Sequence, residues 1–440
     1  MPSPRLTVIG TGYLGATHAA CMAELGFEVL GLDIDAAKIE ALSNGHIPIF
    51  EPGLEELLSS NLEAGRLRFT TSYAEAAEFG DVHFLCVGTP QKHGEYAADL
   101  RYVDSSLDGL LPHLTRACTV VGKSTVPVGT AERAADRIAA EAPAGEDVEL
   151  VWNPEFLREG LAVSDTLQPD RLVFGVTSER GEKAIREVYA SVIDAGTPVV
   201  ITDLATAQLV KVAANAFLAT KISFINAMAE VCEVTHADVT KLAEALGHDA
   251  RIGSRSLRAG LGFGGGCLPK DIRAFMARAG ELGVDQALSF LTEVDAINMR
   301  RRVRMVELAR ELLDDSLVHR RVGVLGAAFK PDSDDIRDSP ALDVAGRLQR
   351  LGAAVTVYDP AAMDNAREMA PDLSYAASAI EAATGADLVL HLTEWREFRE
   401  MEPAALSSVV SQRNIVDGRN VLDPDVWRDA GWTYRALGRP

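Results

Sequence analysis

Cysteine is scarce in this chain, and its arrangement limits the class of protein. There are five cysteines in 440 residues, and no two of them form a Cys-x-x-Cys pair. An odd number of cysteines without such pairs disfavours both a disulfide framework and a zinc ribbon. We therefore expect no metal site, and a protein of a reducing compartment, the cytoplasm.

Basic residues and long apolar runs are also in short supply. Lysine and arginine number 43 against 64 aspartates and glutamates, which gives a formal net charge of −21. This negative charge would repel phosphate backbones and anionic lipid, so we expect neither nucleic acid nor membrane as a partner. No apolar run approaches the ~20 residues of a membrane span, and the opening residues lack the pattern of a secretion signal. The expected class is a soluble globular protein.

The first 35 residues carry a specific pattern. The apolar run Leu6–Ile9 predicts a buried strand, and the glycine turn Gly10-Thr-Gly-Tyr-Leu-Gly15 follows it directly. A helix then runs to about Leu25, and a second strand ends at Asp33. The glycines would let the backbone approach a pyrophosphate at the helix N-terminus, and the carboxylate would hold ribose hydroxyls. An acid there favours NAD over NADP; the alternative is a purely structural turn.

The rest of the chain alternates strand-like and helix-like segments. Strand-like stretches end at Thr89, Thr125 and Glu155, which predicts a mostly parallel sheet with polar groups beyond its C-terminal strand ends. Between Pro198 and Gly247 there is neither glycine nor proline, and the apolar spacing predicts one long helix. Such a helix is a candidate subunit interface.

A degenerate copy of the first pattern follows residue 315. The strand-and-glycine stretch Val322–Lys330 has incomplete glycines, so its turn would not fit a pyrophosphate in the usual way. The predicted fold class is α/β, with two doubly wound Rossmann-like domains joined by a long central helix. At ~150 residues per domain, the length suits three domains, which we place at 1–200, 201–300 and 301–440. They are a dinucleotide-binding domain, a central helical domain with the subunit interface, and a second Rossmann-like domain.

Cys267 is the predicted nucleophile. Glycines dominate the residues before it, in Gly262-Phe-Gly-Gly-Gly-Cys267, and Lys270 and Asp271 follow it. We expect a helix to begin after Pro269, and a helix N-terminus and a nearby ammonium group both lower the pKa of a thiol. The alternative is a structural cysteine in a tight turn. The other four cysteines lie in segments typical of a core.

Two pairs of polar residues share a four-residue spacing. Lys211 and Asn215 lie on one face of the long helix among apolar neighbours. A partly desolvated lysine can act as a base or polarise an oxyanion, although a snorkelling lysine is the alternative. Glu155 and Glu159 follow a strand, and Pro154 suits a first helical turn, so helix capping is the alternative there.

Arginines form two local groups. Arg251, Arg255 and Arg258 precede the glycine stretch, and in so acidic a chain they suit a small polyanion such as a nucleotide diphosphate. Arg300–Arg302 is more typical of a solvated helix face or an interdomain contact.

Taken together, these blocks resemble the UDP-glucose/GDP-mannose 6-dehydrogenase family. The resemblance runs from Leu6 to Asn420 and rests on the order and spacing of several blocks. These are the glycine turn, Ser124-Thr-Val-Pro127, Asn153-Pro-Glu-Phe-Leu-Arg-Glu-Gly160, Lys211 with Asn215, Phe263-Gly-Gly-Gly-Cys-Leu-Pro-Lys-Asp271 and Phe329-Lys330.

The resemblance implies an NAD-dependent four-electron oxidation. The C6 alcohol of UDP-glucose would become a carboxylate while two NAD are reduced, with Cys267 holding the carbon as a thiohemiacetal and then a thioester. It also implies a homodimer or higher homo-oligomer, in which Arg251 reaches the substrate of the partner subunit.

The resemblance also assigns roles to residues. Lys211 would assist the first oxidation, with Asn215 beside it as an oxyanion partner. Asp271 would help to position water, and Glu155 would be an acid/base for thioester hydrolysis. The catalytic set is Cys267, Lys211, Asn215, Asp271, Glu155 and Thr125.

The implied cofactor contacts are Gly10, Gly12, Tyr13, Leu14, Gly15, Asp33, Lys38, Thr89, Pro90, Thr125, Glu159, Lys270 and Arg337. The implied substrate contacts are Glu155, Phe156, Leu157, Glu159, Lys211, Asn215, Arg251, Arg258, Phe263, Gly264, Gly265, Cys267, Phe329, Lys330 and Arg419.

Other functions stay open at this point. The same chemistry could act on GDP-mannose or a UDP-N-acetylhexosamine. A two-electron NAD dehydrogenase without covalent catalysis and a non-catalytic NAD-binding protein built on the long helix are alternatives of different classes.

Overall fold

A computed structural model describes residues 3–47 and 49–440 of the chain. The described residues form two compact units. Unit 1 runs to Ala214 and adds Arg273–Leu282, and unit 2 comprises Asn215–Ile272 and Gly283–Pro440. The prediction of three domains with boundaries near 200 and 300 stays a prediction.

Unit 1 is built on an eight-stranded sheet within the described residues, in the order β3-β2-β1-β4-β5-β6-β7-β8. Neighbouring strands are parallel except β6 and β7, which are antiparallel. The strands are β1 (Leu6–Ile9), β2 (Val29–Leu32), β3 (Leu67–Thr70), β4 (Val82–Leu85), β5 (Cys118–Gly122), β6 (Val148–Trp152), β7 (Leu172–Val176) and β8 (Val199–Thr202).

Helices connect these strands, as crossovers between parallel strands require. They are α1 (Tyr13–Glu24), α2 (Ala36–Ser43), α3 (Leu54–Glu63), α4 (Tyr73–Phe79), α5 (Arg101–Leu110), α6 (Thr130–Glu141), α7 (Ala162–Leu167), α8 (Glu179–Val188) and α9 (Ala190–Asp194), with short 3-10 helices at Leu111–His113 and Gly145–Asp147.

Helix α10 (Leu204–Thr235) is the predicted long helix, and its 32 residues contain neither glycine nor proline. By length and composition it could cross a membrane, although 44% of its most apolar 18-residue window is buried inside the protein. The core helix of a globular protein has the same length and composition. The expectation that no apolar run approaches the length of a membrane span is therefore wrong for α10.

Unit 2 contains a six-stranded parallel sheet within the described residues, in the order β11-β10-β9-β12-β13-β14. Its strands are β9 (Arg321–Leu325), β10 (Ala354–Tyr358), β11 (Ser374–Tyr375), β12 (Leu388–His391), β13 (Asn414–Asp417) and β14 (Thr433–Ala436). The first six strands of unit 1 have the same relative order, so the predicted pair of doubly wound sheets and the α/β fold class are confirmed.

The remaining helices lie in unit 2, except that α10 and α12 cross the division between the units. They are α11 (Val239–Gly247), α12 (Leu268–Glu281), α13 (Phe290–Leu312), α14 (Pro340–Arg350), α15 (Met363–Met369), α16 (Ala379–Ala383), α17 (Arg396–Arg399), α18 (Pro403–Ser407) and α19 (Pro424–Asp429), with a 3-10 helix at Asp285–Leu288.

An acid follows the second strand of each sheet, and in unit 2 its carboxylate is bonded to the turn after the first strand. In unit 2, Asp359 follows β10 and accepts hydrogen bonds from the N–H groups of Ala327 and Ala328 and from the Trp395 indole, at 2.7, 2.9 and 3.0 Å. Its carboxylate therefore braces its own glycine-poor turn. The expectation that this turn does not hold a dinucleotide in the usual way stays a prediction.

Candidate active site

The glycine turn of unit 1 is shaped by close backbone contacts. Gly10 has φ = +87°, and a Cβ at Gly15 would lie 1.8 Å from the Gly10 carbonyl oxygen, so neither position accepts a side chain. A Cβ at Gly12, by contrast, would meet no atom within 4 Å. Gly12 is the N-cap of α1, so open space lies at a helix N-terminus, where a diphosphate is stabilised.

Asp33 lies at the end of β2, beside this turn. Its carboxylate accepts hydrogen bonds from the Thr11 N–H at 2.9 Å and from the Lys38 ammonium at 3.0 Å. Burial would raise the pKa of Asp33, but hydrogen bonds from the Asp35 N–H, Lys38 and Thr11 outweigh it and hold the pKa below its usual value. An ionised carboxylate of this kind can accept hydrogen bonds from ribose hydroxyl groups.

Tyr13 and Leu14 begin α1. The Tyr13 hydroxyl donates to the buried carboxylate of Glu51, which also accepts the Gly160 N–H at 2.6 Å. Glu51 thus ties the first turn of α1 to the segment that carries Glu159. Leu14 packs against the core of the unit instead.

Thr89 and Thr125 follow β4 and β5, and a hydrogen bond joins them. The Thr89 hydroxyl donates to the Thr125 carbonyl oxygen at 2.7 Å, while Pro90 accepts the Asp99 N–H through its own carbonyl. Because parallel strands end at the same edge of a sheet, these residues line the C-terminal edge of unit 1, as predicted.

A buried lysine–glutamate pair lies in the same unit. Lys211 on α10 is 5% exposed, and its Nζ lies 2.9 Å from Glu155 Oε1. Residues 153–160 are not helical, so the alternative of helix capping after Pro154 is excluded. Glu155 instead accepts the Leu157 N–H at 2.7 Å. Burial would raise the pKa of Glu155, but Lys211, that N–H group and Lys123 lower it below its usual value.

Two cationic side chains lie close to the aromatic ring of Phe156, the residue after Glu155. The Arg171 guanidinium carbon lies 3.8 Å from the ring centroid and Lys211 Nζ lies 5.7 Å from it. The aromatic face therefore helps to hold Lys211 in place. Arg171 was not predicted from the sequence as a residue near the site.

Unit 2 carries the predicted nucleophile. Cys267 is exposed, whereas Cys21, Cys86, Cys118 and Cys232 are buried, as expected. Helix α12 begins at the next residue, Leu268, one residue before Pro269. The thiol therefore lies at a helix N-terminus, where a thiolate is stabilised.

Asn215, Asp271 and Lys270 form a hydrogen-bonded group in the same unit. The Asn215 amide donates to Asp271 Oδ2 at 2.7 Å, and Lys270 Nζ donates to Asp271 Oδ1 at 2.5 Å. Asn215 and Asp271 are 6% and 3% exposed. The backbone N–H of Asp271 also donates to the Cys267 carbonyl oxygen at 3.0 Å, which joins this group to the thiol residue.

The glycine stretch before Cys267 is packed from several sides. A Cβ at Gly264 would lie 2.4 Å from the Asp338 carbonyl, one at Gly265 would meet the Phe329 ring at 2.8 Å, and one at Gly266 would meet the Arg337 guanidinium at 2.2 Å. The side-chain amide of Asn298 accepts the Phe263 N–H at 2.8 Å and donates to the Phe263 carbonyl at 2.9 Å. The stretch is therefore a closely packed loop, in which a side chain at any of these three glycines would clash with its neighbours. Asn298 was not predicted, because an isolated asparagine in a helical pattern gives no signal of its partner.

The predicted substrate arginines differ in their surroundings. Arg419 is mostly buried, and its guanidinium donates to the carbonyls of Leu392, Gly262 and Phe329 at 2.6, 3.0 and 3.1 Å. Arg251 has an 89% exposed side chain paired with Asp249, and Arg258 is exposed. Lys330 Nζ lies 5.5 Å from the Phe329 ring. Their contacts with substrate, and that of Arg251 with a partner subunit, stay predictions.

Sequence models of one family match this chain along most of its length. They are the UDP-glucose/GDP-mannose dehydrogenase family NAD binding domain over 4–193, its central domain over 205–300 and its UDP binding domain over 323–424. A UDP-glucose 6-dehydrogenase of Rhizobium meliloti (strain 1021) is 42% identical, covering 99% of this chain and all of that one. The chain belongs to the UDP-glucose/GDP-mannose dehydrogenase family.

Solved structures of related dehydrogenases share the fold. A UDP-glucose dehydrogenase from the hyperthermophilic archaeon Pyrobaculum islandicum is 37% identical, with a TM-score of 0.91, and covers 100% of this chain and 98% of that one. A UDP-D-ManNAc dehydrogenase from Pyrococcus horikoshii is 26% identical, with a TM-score of 0.86, and covers 99% of both chains.

Membership of the UDP-glucose/GDP-mannose dehydrogenase family makes this protein an oxidoreductase and confirms NAD as its cofactor. The residues present fit that cofactor, because Gly12 leaves open space at a helix N-terminus and the ionised Asp33 lies beside it. The UDP binding domain of the family contains Phe329, Lys330 and Arg419, so a UDP-sugar is the substrate class.

Proposed function

We propose that this family member oxidises C6 of UDP-glucose to a carboxylate, forming UDP-glucuronate with two NAD reduced. The observation that carries the proposal is the placement of Cys267. It is the exposed member of the five cysteines and directly precedes α12, in a chain 42% identical to a UDP-glucose 6-dehydrogenase. A simple alcohol dehydrogenase has no need of an exposed thiol at a helix N-terminus.

The lysine–glutamate pair is assigned to the alcohol step. Lys211 is buried, held by Glu155 and the face of Phe156, so its amino group can accept the C6 hydroxyl proton or steady the C6 oxygen. NAD, when bound, accepts a hydride from C6 in each of the two oxidations. Asn215, one turn further along α10, can donate to an oxyanion through its amide.

Cys267 is assigned to the aldehyde step. Its sulfur adds to the aldehyde carbon, giving a thiohemiacetal whose oxidation produces a thioester. Water then adds to the thioester carbonyl and the C–S bond breaks, which returns the thiol and releases the carboxylate. Asp271, anchored by Asn215 and Lys270, is the group assigned to position that water.

The experiment is a stoichiometry with a panel of nucleotide sugars. We expect UDP-glucose to yield two NADH per sugar and a uronate product identified by mass spectrometry. A better rate with GDP-mannose or a UDP-N-acetylhexosamine would move the proposal to that sugar. One NADH per sugar would contradict the four-electron reaction.

Cysteine variants test the covalent step in the same assay. Cys267→Ser should lower turnover by ~10³-fold or more while NAD binding is retained, because a serine hydroxyl is a far weaker nucleophile than a thiolate. Cys118→Ser, which alters a buried thiol of unit 1, is the control and should keep wild-type turnover. Full activity of Cys267→Ser would favour a two-electron dehydrogenase.

We also propose a homodimer that works in the cytoplasm. In unit 2, α10 exposes Phe217, Phe224 and Val231 at seven-residue intervals, with Val234 beyond them. Apolar residues at this spacing lie along one side of a helix, and a second copy of the chain is the occupant assigned to that side. A reducing cytoplasm would keep Cys267 as the thiol that the reaction needs.

A further inference from the structure

The buried carboxylate of Glu51 joins two segments of unit 1. Glu51 lies between α2 and α3 and is 7% exposed. Its Oε2 accepts hydrogen bonds from the Tyr13 hydroxyl and from the Gly160 N–H, the latter at 2.6 Å, and its Oε1 accepts the Ala162 N–H at 2.7 Å. The Gly160 N–H also lies 3.2 Å from the Tyr13 hydroxyl oxygen. One carboxylate therefore binds three donors from two segments that are distant in sequence.

The first of these segments is the start of α1. Tyr13 is the first residue of that helix, directly after its N-cap in the glycine turn. Burial raises the pKa of the Tyr13 hydroxyl and Glu51 raises it further, so the hydroxyl keeps its proton at neutral pH and acts as a donor. The turn itself is fixed by the close contact between Gly10 and Gly15. Tyr13 therefore connects Glu51 to a rigid part of the dinucleotide site.

The second segment is the non-helical stretch 153–161, which we call the Glu155 loop, and α7 begins after it at Ala162. Asp165 on α7 accepts the Arg158 N–H of this loop at 2.9 Å, which is a bond between near neighbours in sequence. Glu51 is more than 100 residues away from the loop in sequence. Its hydrogen bonds therefore fix the position of the loop relative to α1, which a local bond cannot do.

We propose that Glu51 is a positioning residue for the oxidation, which holds the Glu155 loop against the first turn of α1. The loop carries the carboxylate that lies 2.9 Å from Lys211 Nζ, while α1 offers its N-terminus to the dinucleotide. A displacement of about 1 Å between groups that must react can lower a rate ~100-fold. This role rests on the proposed function, since the Lys211–Glu155 pair serves catalysis only in that reaction.

The first test is the variant Glu51→Gln. It keeps the size of the side chain but replaces one acceptor oxygen with an NH₂ group, so at least one of the three donors loses its acceptor. We expect kcat with UDP-glucose to fall ~10–100-fold, while the Kd of NAD changes by less than ~3-fold, because the glycine turn is fixed by its own contacts. The kcat is calculated per NAD-binding site. A general loss of structure would reduce the number of those sites and leave kcat per site unchanged.

Two further variants separate the link from the charge. Glu56→Gln removes an exposed carboxylate from the first turn of α3, and it should keep the wild-type kcat and Kd of NAD. Tyr13→Phe removes one donor and leaves both backbone donors on Glu51, so it serves as the test if Glu51→Gln does not fold. We expect a smaller decrease in kcat for it. The double variant should lose less than the product of the two single effects, because both changes break the same link.

Hydrogen exchange followed by mass spectrometry measures the loop without turnover. In the protein without substrate, amides of the Glu155 loop and Ala162 should exchange ~10-fold faster in Glu51→Gln and at the wild-type rate in Glu56→Gln. Unchanged exchange or an unchanged kcat in a folded Glu51→Gln protein would overturn the role of Glu51, and so would independent effects in the double variant. If the wild type gave no NADH with any nucleotide sugar, the proposed function would fail, and the exchange rates would still report whether Glu51 holds the loop.

Discussion

At the scale of single residues, Lys123 shows how a buried charge affects folding. In the folded chain its pKa is about 8, against 10.5 for an ordinary lysine, because burial disfavours the ammonium form. Below pH 8 both the folded and unfolded chains carry this proton, so the folded state bears the full penalty of burying it. Between pH 8 and 10.5 the unfolded chain binds more protons, so stability rises with pH and the penalty disappears.

We therefore predict that Lys123→Met stabilises the protein at neutral pH. The difference in pKa corresponds to about 3 kcal/mol at pH 7. Lys123 donates to the side-chain oxygen of Asn153 and to the Tyr189 hydroxyl. Tyr189 still donates to the Asn153 oxygen in the variant, so that acceptor keeps a partner, and the Tyr189 hydroxyl keeps the hydrogen bond that it donates. Scanning calorimetry from pH 7 to 10.5 would measure this, with the advantage over wild type shrinking above pH 8. An advantage that did not change with pH would show that the gain came from packing instead.

Residue-scale expectations failed where a partner is distant in sequence. Arg301 and Arg302 are 0% and 3% exposed, and they pair with Glu233 and Asp338, so the solvated-face interpretation is wrong for them. Lys123 was not singled out either, because it meets Asn153 and Tyr189 across 30 and 66 residues of chain. A lysine directly after an apolar strand was the signal that could have found it.

At the scale of elements, the conformation of the loop before Cys267 depends on hydrogen bonds from helix α13. Asn298 on α13 forms two hydrogen bonds with the backbone of Phe263, and a Cβ at Gly262 would lie 2.2 Å from its Oδ1. The glycines and the asparagine are therefore complementary. Replacing either one leaves buried backbone groups without partners or creates a clash.

We predict that Asn298→Leu destabilises unit 2. The change keeps the side-chain volume but leaves the Phe263 N–H and carbonyl without their partners, at a penalty of ~2–4 kcal/mol. Urea unfolding followed by tryptophan fluorescence reports it, since Trp395, Trp427 and Trp432 are buried in this unit. Asn365→Leu, an exposed asparagine that donates to the Asp334 carbonyl, should change the midpoint little. Equal effects of the two variants would argue against a supporting role for Asn298.

The elements that could be predicted were those with a local pattern. The run Leu6–Ile9 is β1, and the stretch without glycine or proline contains α10, because both depend on near neighbours in sequence. Cys267 stood out for the same reason, since its glycines precede it directly. The lysine–glutamate pair was half predicted. Both residues were singled out, but the contact between Lys211 and Glu155 spans 56 residues and depends on packing of α10 near the end of β6.

At the scale of the whole molecule, the exposed side of α10 needs an occupant. Phe217 and Val234 are 67% and 78% exposed, and Phe224 and Val231 are about half exposed. A membrane could in principle cover a helix of this length and composition. The same helix also carries Lys221, Glu230 and Glu233, which would be costly in hydrocarbon, so a second protein surface is the better match.

The last prediction follows from that surface. We expect the purified chain to sediment as a dimer of about 94 kDa, twice its mass of 47.1 kDa. Phe224→Asp should sediment as a monomer, because the dimer would bury an unpartnered carboxylate at the centre of the contact. Phe290→Asp changes an equally exposed phenylalanine of α13 and is the matched control, which should remain dimeric. A wild-type chain that sedimented at 47 kDa, or a Phe224→Asp dimer, would contradict the assignment. Binding of the wild type to lipid vesicles, abolished in Phe224→Asp, would instead identify lipid as the occupant of α10.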